Sequence, residues 1–312
     1  MKRFLLFLSL IIILSCSKHE SQLTSLKFEK DLIPEGIAID PQSQTLFLNS
    51  LRKNKIVSSK LDGNHPRNFI NNSQFGYLPG FGMTVKGDTL YALGNSLPKG
   101  KNKSVLLLLN VKTGSLIESY KIDNNVFTFL NDLAISPKNE IFITDSESNK
   151  IYRIQRPSNE MEIYLDSVAV EHSNGIAISD DGKKLYLASR KGIRIVDIAS
   201  KEILNKANKE NSGIDGLKFY QNSLIGIMNG KKDANKNGVY RFDLNKEGST
   251  IHKTKKMVSP GENFRIPTTL AIADDYCYYV VHSQLDNFSG ETNQIVDTDK
   301  LESYRLMKMK LE

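Results

Sequence analysis

Four oxygen-bearing side chains, Glu35, Asn131, Asn174 and Asp215, each stand just before a short apolar run that alternates with period two. Two carboxylates and two carboxamides make an all-oxygen set of mixed charge. Such a set suits a hard divalent cation, calcium above all, with magnesium or manganese as substitutes. Calcium takes about six to eight oxygens, so water or a bound molecule would complete the shell. Asp132 follows Asn131 directly and is a further ligand or a supporting group. Structural zinc does not fit, because His19, His65, His172, His252 and His282 form no close pair and the cysteines form no motif.

The elements that position these residues recur along the chain. The clearest copy is Ser173–Ser189, SNGIAISDDGKKLYLAS, with one run at Ile176 and Ile178, a turn at Asp180–Gly182, and a second run at Leu185–Leu187. Alternation on both sides of an Asp-Gly turn marks a hairpin of half-buried strands. Related units begin at Pro34, Gly80, Leu130, Ile214 and Pro267. The equivalent leading residues are Glu35, Phe81, Asn131, Asn174, Asp215 and Thr268, separated by 46, 50, 43, 41 and 53 residues. A period of roughly 40–50 residues with several short strands in each copy is the signature of a propeller. Third strands are expected at Val105–Asn110, Lys150–Ile154, Ile193–Ile198, Val239–Asp243 and Tyr304–Leu311, and no long amphipathic helix interrupts the repeats. The reading is an all-β, six-bladed β-propeller with a divalent-metal site in its central channel. Ser25–Leu32 is expected to pair with the last blade as its outer strand and so close the ring.

In a propeller the first strand of each blade lies beside the channel, so the residue just before it sits at one mouth. Glu35, Asn131, Asn174 and Asp215 should therefore converge from four blades. The loops after second strands return to the same face and should ring them. His282, at the end of a second strand, should point to this mouth and touch substrate, and His172 lies in a loop near it. Asn-Gly and Asp-Gly are also common hairpin turns. Here the hairpin turns fall later, at Asp180–Gly182 and Gln221–Asn222, so Asn174-Gly175 and Asp215-Gly216 are surplus to that need. The run from Ser283 to Glu302 is long enough for a lid, and equally for an insertion without structure.

Targeting is written at the start of the chain. Lys2 and Arg3 precede an apolar run, Phe4 to Leu14, then Ser15 and Cys16. This is a secretory signal, too short to span a bilayer. Ile13-Leu14-Ser15-Cys16 resembles the bacterial lipobox, in which Cys16 becomes the lipidated first residue. The expected division is a lipoprotein signal peptide over 1–15, a tether over 16–24 and the propeller over 25–312. That places the protein in the bacterial cell envelope, held to a membrane by its lipid on the outer-membrane or periplasmic face. The formal charge of +7 falls to +5 without Lys2 and Arg3, and its lysines are dispersed. A dispersed surplus is a solvated surface rather than a nucleic-acid footprint. Only Cys277 remains beside Cys16, so no disulfide framework supports the fold.

With these residues in place, the chain resembles the gluconolactonase/regucalcin (senescence marker protein) family, and more distantly paraoxonases and strictosidine synthase-like proteins. The pieces that carry the resemblance are Phe129-Leu130-Asn131-Asp132, Ser173-Asn174-Gly175, Pro34-Glu35-Gly36 and Ile214-Asp215-Gly216. The resemblance implies a metal bound by Glu35, Asn174 and Asp215, with Asn131 contacting metal or substrate and Asp215 as a proposed general base. The gluconolactonase branch carries an arginine two residues before the Asn-Asp pair, where it holds sugar hydroxyls. Phe129 stands in that place and points to a less polar substrate.

Two functions follow as expectations. The first is a calcium-dependent hydrolase of lactones or related esters, with a metal-polarised carbonyl and a water deprotonated by Asp215 or Asp132. The second is a non-catalytic envelope propeller that binds a ligand or protein partner through its loops, with calcium as a structural plug. A deep pocket beside the metal residues favours the first, and a filled channel under a flat loop surface favours the second.

Overall fold

The computed structural model describes residues 21–101, 103–123, 127–155 and 159–311. The signal segment and Cys16 lie outside the described residues. Six antiparallel sheets follow one another along the chain and form six blades. Their inner strands are Ile37–Asp40, Gly80–Lys86, Leu130–Ile135, Ile176–Ile178, Ile214–Tyr220 and Ala271–Ala273. Each pairs with the strand that follows it, and that strand with a third. The third strands begin within two residues of the expected places, at Lys103, Lys150, Gly192, Gly238 and Arg305.

Turn chemistry sets the hairpins. In the fifth blade Tyr220 pairs with Ser223 across a two-residue loop. Gln221 and Asn222 both adopt positive φ, at 44° and 55°. Two consecutive left-handed residues give the turn whose twist matches that of the flanking strands. In the fourth blade Gly182 takes φ of 68° in the Asp-Asp-Gly turn.

The ring closes as expected in kind but with a shifted strand. Ser21–Ser25 pairs with Arg305–Lys310, from Ser21 opposite Met309 to Ser25 opposite Arg305, as the outermost strand of the last blade. The sequence reading placed this strand at Ser25–Leu32 and left residues through Thr24 in the tether. The strand is exposed along most of its length. With neither face buried it carries no apolar alternation to read. Leu26 and Leu32, the buried residues of the expected stretch, instead pack in the core between the last and first blades.

The fourth blade has three strands among the described residues. Its outer edge at Gly192–Asp197 is covered by a turn of chain. Asn205 accepts from the Ile195 amide and donates to the Ile193 carbonyl, both at 2.8 Å, and the Leu204 amide donates to the Ile195 carbonyl at 2.8 Å. One carboxamide thus stands in for a missing strand and removes an open edge.

The apolar core is divided among the blade interfaces. One cluster joins Phe81, Leu93 and Leu106 of the second blade to Leu133, Ile141 and Tyr152 of the third. Another joins Ile225 and Val239 of the fifth to Cys277 and Tyr279 of the sixth. Burying each Leu or Ile contributes about 1.5–3 kcal/mol. Because every interface is filled, neighbouring inner strands, and the residues at their tips, are held rigidly around the channel.

Candidate functional site

Irregular backbone presents the site residues. Inner-strand pairing skips from Gly80 to Met83, from Leu130 to Leu133, and from Ile214 to Leu217. Phe81, Asn131 and Asp215 fall in these gaps. A bulge frees its residues from the ladder and re-aims their side chains. Glu35 and Asn174 lie just before the first and fourth inner strands, Ile37–Asp40 and Ile176–Ile178.

A set of polar residues at or just after the ends of the second strands fixes this face. Asn49 accepts from the amides of Glu35 (3.3 Å) and Gly36 (2.8 Å) and donates to the Phe81 carbonyl. Asn95 accepts from the Leu130 amide at 2.9 Å and donates to the Leu130 carbonyl at 2.6 Å. Asn229 donates to Asp215 Oδ2 at 2.8 Å and to the Pro267 carbonyl at 2.9 Å. Each stitches its blade to the next one at the level of the site. Thr268 and Thr269 of the sixth blade both donate to the Glu35 carbonyl, at 2.8 and 2.7 Å. The sixth blade thus supplies support rather than an oxygen ligand.

The expected metal residues share one property. Glu35 Oε2, Asn131 Oδ1, Asn174 Oδ1 and Asp215 Oδ1 are buried and accept no hydrogen bond within the protein. Buried oxygens are almost always paired, so one orphan from each of four blades fits a shared cation. The residues also sense one another. Burial, and then the Asp215 charge, push the Glu35 carboxyl well above its usual range. Burial also pushes Asp215 up to about 6, with the Asp132 charge adding to the rise and the carboxamides of Asn229 and Asn174 opposing it. Two carboxylates desolvated side by side gain most from a cation between them. Among the described residues no group of three or more His, Cys, Asp or Glu side chains is placed to hold an ion. Amide oxygens make up the rest of this set, which fits calcium better than zinc.

Asp132 has a different surrounding. Its carboxylate accepts from Lys218 Nζ at 3.3 and 3.1 Å, from the Leu133 amide at 2.9 Å and from the Ile176 amide at 3.4 Å. Both oxygens of this second candidate for the general-base role are thus engaged within the protein, whereas Asp215 keeps Oδ1 without a partner.

Beside Asn131 and Asn174 opens a cavity of about 470 Å³. Leu51, Phe81, Leu97, Phe129, Leu285 and Phe288 give it apolar walls. Phe129 packs edge-on against Phe81 with centroids 4.8 Å apart, and Lys99 Nζ lies 4.7 Å over the Phe129 ring. Leu285 and Phe288 come from the Ser283–Glu302 run, which carries a short hairpin, Phe288–Ser289 with Gln294–Ile295. His172 also lines the cavity. Its Nδ1 lies 2.9 Å from the Ser146 carbonyl, which can only accept, so Nδ1 donates there and Nε2 is the ring nitrogen without that commitment. His282 is not among the lining residues; its Nε2 lies 3.1 Å from Asp286 Oδ1.

Comparison with known proteins agrees with this architecture. Residues 33–221 match the model of the SMP-30/gluconolactonase/LRE-like region. The chain belongs to this family. No curated protein matches it in sequence. A gluconolactonase from Xanthomonas campestris is similar in structure, with a TM-score of 0.62 at 13% identity over 93% of this chain and 89% of that one. The calcium-binding protein regucalcin from Agrobacterium tumefaciens gives 0.58 at 15% identity over 93% of each chain. A virginiamycin B lyase from Staphylococcus aureus gives 0.60 at 16% identity over 95% of this chain and all of the other. At such identities the likeness establishes the six-bladed fold alone, and the reaction has to be argued from the site.

Asn229 and Lys218 were missed by the sequence reading. Asn229 has a signal. Asn49, Asn95, Asp145 and Asn229 each close a second apolar run 14 residues after the leading residue of their repeats. Lys218 is a lysine inside an inner-strand run, Leu217-Lys218-Phe219, where an apolar or small residue is expected.

Proposed function

We propose that this protein is a calcium-dependent hydrolase of lactones or related esters, acting on a small molecule with an apolar body. The observation that carries the reading is the set of four unpartnered buried oxygens, from Glu35, Asn131, Asn174 and Asp215, beside a cavity with one apolar wall and with Lys99, Glu147 and Arg190 in its lining. Membership of the gluconolactonase-like family supports a lactonase-type reaction.

A divalent cation held by these four residues would polarise the substrate carbonyl and stabilise the charge that develops on its oxygen. The chain supplies the rest. Asn229 fixes Asp215 Oδ2 and leaves both lone pairs of Oδ1 free within the protein, one to face the cation and one to face a water. A water beside that oxygen can give up a proton to it, a step typically worth about 10²–10⁴-fold. Phe81, Phe129 and Phe288 exclude bulk water and select an apolar acyl or alkyl group over the polyhydroxylated ring that an arginine at position 129 would favour. The cavity beside the metal residues favours this reading over that of a purely binding propeller.

The test is hydrolysis of aliphatic, sugar and homoserine lactones and of aryl esters, with calcium and with chelator. Calcium-dependent turnover, greater for apolar substrates, is expected and should be lost in Asp215→Asn. Absence of turnover across the panel in folded, calcium-bound protein would sink the hydrolase reading and leave the binding propeller.

We further propose that Cys16 carries the lipid that tethers the protein to a membrane of the bacterial envelope. The lipobox-like Ile13–Cys16 supports this. The first blade-forming strand begins at Ser21, so only a few residues separate the anchor from the propeller.

A further inference from the structure

The inner-strand repeat places small residues at two positions, and two charged residues depart from this together. At the second position of the unit stand Gly36, Gly82, Gly175 and Gly216, with Thr269 in the sixth copy and Asp132 in the third. At the fourth position stand Ala38, Thr84, Ala134, Ala177 and Ala271, with Lys218 in the fifth copy. The glycines are there because blades touch. A Cβ at Gly36 would lie 2.0 Å from the Phe81 carbonyl oxygen, and one at Gly175 would lie 2.3 Å from that of Asp215. Asp132 lies inside the third-blade bulge. Gly82 of the second blade makes room for it, since a Cβ there would come within 2.6 Å of Asp132 Oδ1.

The two exceptions meet. Lys218 Nζ reaches both Asp132 oxygens across the channel, with the side chains 18% and 2% exposed. Lys218 lies three residues beyond Asp215, so about 10 Å deeper along the strand at its Cα. It also lines a lower cavity of about 280 Å³ that is walled by the inner strands. The ammonium therefore stands between the mouth cluster and the lower channel. Asp132 in turn lies within electrostatic reach of both Glu35 and Asp215.

We propose that Lys218 is a built-in cation of the central channel, which neutralises Asp132 and sets the charge that a divalent ion meets at the cluster above. Without Lys218, Glu35, Asp132 and Asp215 present three negative charges to one another; with it the sum is minus two, which a divalent ion cancels. A buried charge that loses its partner is strongly destabilising. Removing the opposite charge as well should relieve this. The effect on metal affinity rests on the calcium reading above. The effect on metal-free stability does not.

The test is a charge cycle of Lys218→Met, Asp132→Asn and the double variant. Calcium affinity is measured by competition with a chelating dye at pH 8, and thermal midpoints are measured in chelator. Lys218→Met should bind calcium on the order of tenfold more tightly, because one positive charge has left the site. Its midpoint in chelator should fall, with calcium restoring much of the loss. Asp132→Asn should weaken calcium binding by a similar factor. The double variant, equal in net charge to the parent, should return to within about threefold of its affinity and recover stability relative to Lys218→Met. Unchanged or weaker calcium binding in Lys218→Met would overturn the proposal, as would a double variant less stable than that single one. If Lys218→Met does not fold, recovery of folding in the double variant supports the proposal and continued failure overturns it. Failure of the parent to bind any divalent cation would refute the calcium reading, and the stability arm would still decide the role of Lys218.

Discussion

Asn229 holds Asp215 in place by a 2.8 Å hydrogen bond from Nδ2 to Oδ2, and the same amide nitrogen donates to the Pro267 carbonyl of the next blade at 2.9 Å. The carboxylate is thereby oriented against the frame of the propeller, with its other oxygen turned free. Groups that orient a metal ligand typically matter by about 10–100-fold in affinity or activity. Asn229→Leu should weaken calcium binding by a factor in this range, measured by competition with a chelating dye. Asn229→Asp cannot donate and adds a third carboxylate beside two, so it should not rescue orientation. An Asn229→Leu variant with parental affinity would show that Asp215 is positioned by its backbone alone.

Phe129 sits where the gluconolactonase branch carries an arginine, and it is buried against Phe81 in the cavity wall. Phe129→Ala should remove the apolar surface that selects substrate. The expected outcome is a rise of about tenfold in KM for apolar esters, with a much smaller change for sugar lactones. Truncating a buried phenylalanine typically costs about 3–5 kcal/mol, less where the site opens to solvent. Denaturant titration should therefore show a loss of about 2–3 kcal/mol. Equal loss of activity towards both substrate classes would remove Phe129 from specificity and leave it a packing residue.

The propeller was legible because its repeat obeys simple rules. Period-two runs flank Asp-Gly and Gln-Asn turns, and the polar residue ahead of each run falls at one mouth. The outer strand Ser21–Ser25 was misplaced because an edge strand exposed on both faces leaves no hydrophobic pattern. The bulges at Phe81, Asn131 and Asp215 were also hidden, since the extra residue does not disturb the repeat length. The pairing of Lys218 with Asp132 was hidden for another reason. Each is an ordinary residue in its own segment, and their meaning lies in meeting across 86 residues of chain. His282 lies near its expected position in sequence, but strand register alone could not show that it would engage Asp286.

Cys16 lies five residues before the first strand. In cells expressing the full chain, the parent should sediment with membranes and be released by detergent but not by high salt. Cys16→Ser should abolish lipid attachment and leave the protein soluble in the envelope or retained with its signal segment uncleaved. Fractionation with metabolic labelling by a palmitate analogue reads both outcomes. Label on the Cys16→Ser protein would place the lipid elsewhere.

The raised carboxyls make a signed prediction for the metal-free protein. An acid whose pKa is higher folded than unfolded binds more protons when folded, so its contribution is most favourable below the unfolded value and is lost as pH rises through the folded one. Asp215, with an ordinary value of 3.8 and a folded value of about 6, spans that window, and Glu35 is shifted in the same direction. In chelator, stability relative to Asp215→Asn should therefore decline from about pH 4 to pH 7. The asparagine variant should be more stable by about 1–3 kcal/mol at pH 8, and the difference should close near pH 4. Calcium should reverse the order at pH 8, because it stabilises the parent in proportion to its affinity and the variant far less. Thermal midpoints of both proteins, with and without chelator across this range, check the sign. A pH-independent difference in chelator would mean that Asp215 titrates in the folded, metal-free protein as it does unfolded, and that burial does not shift it.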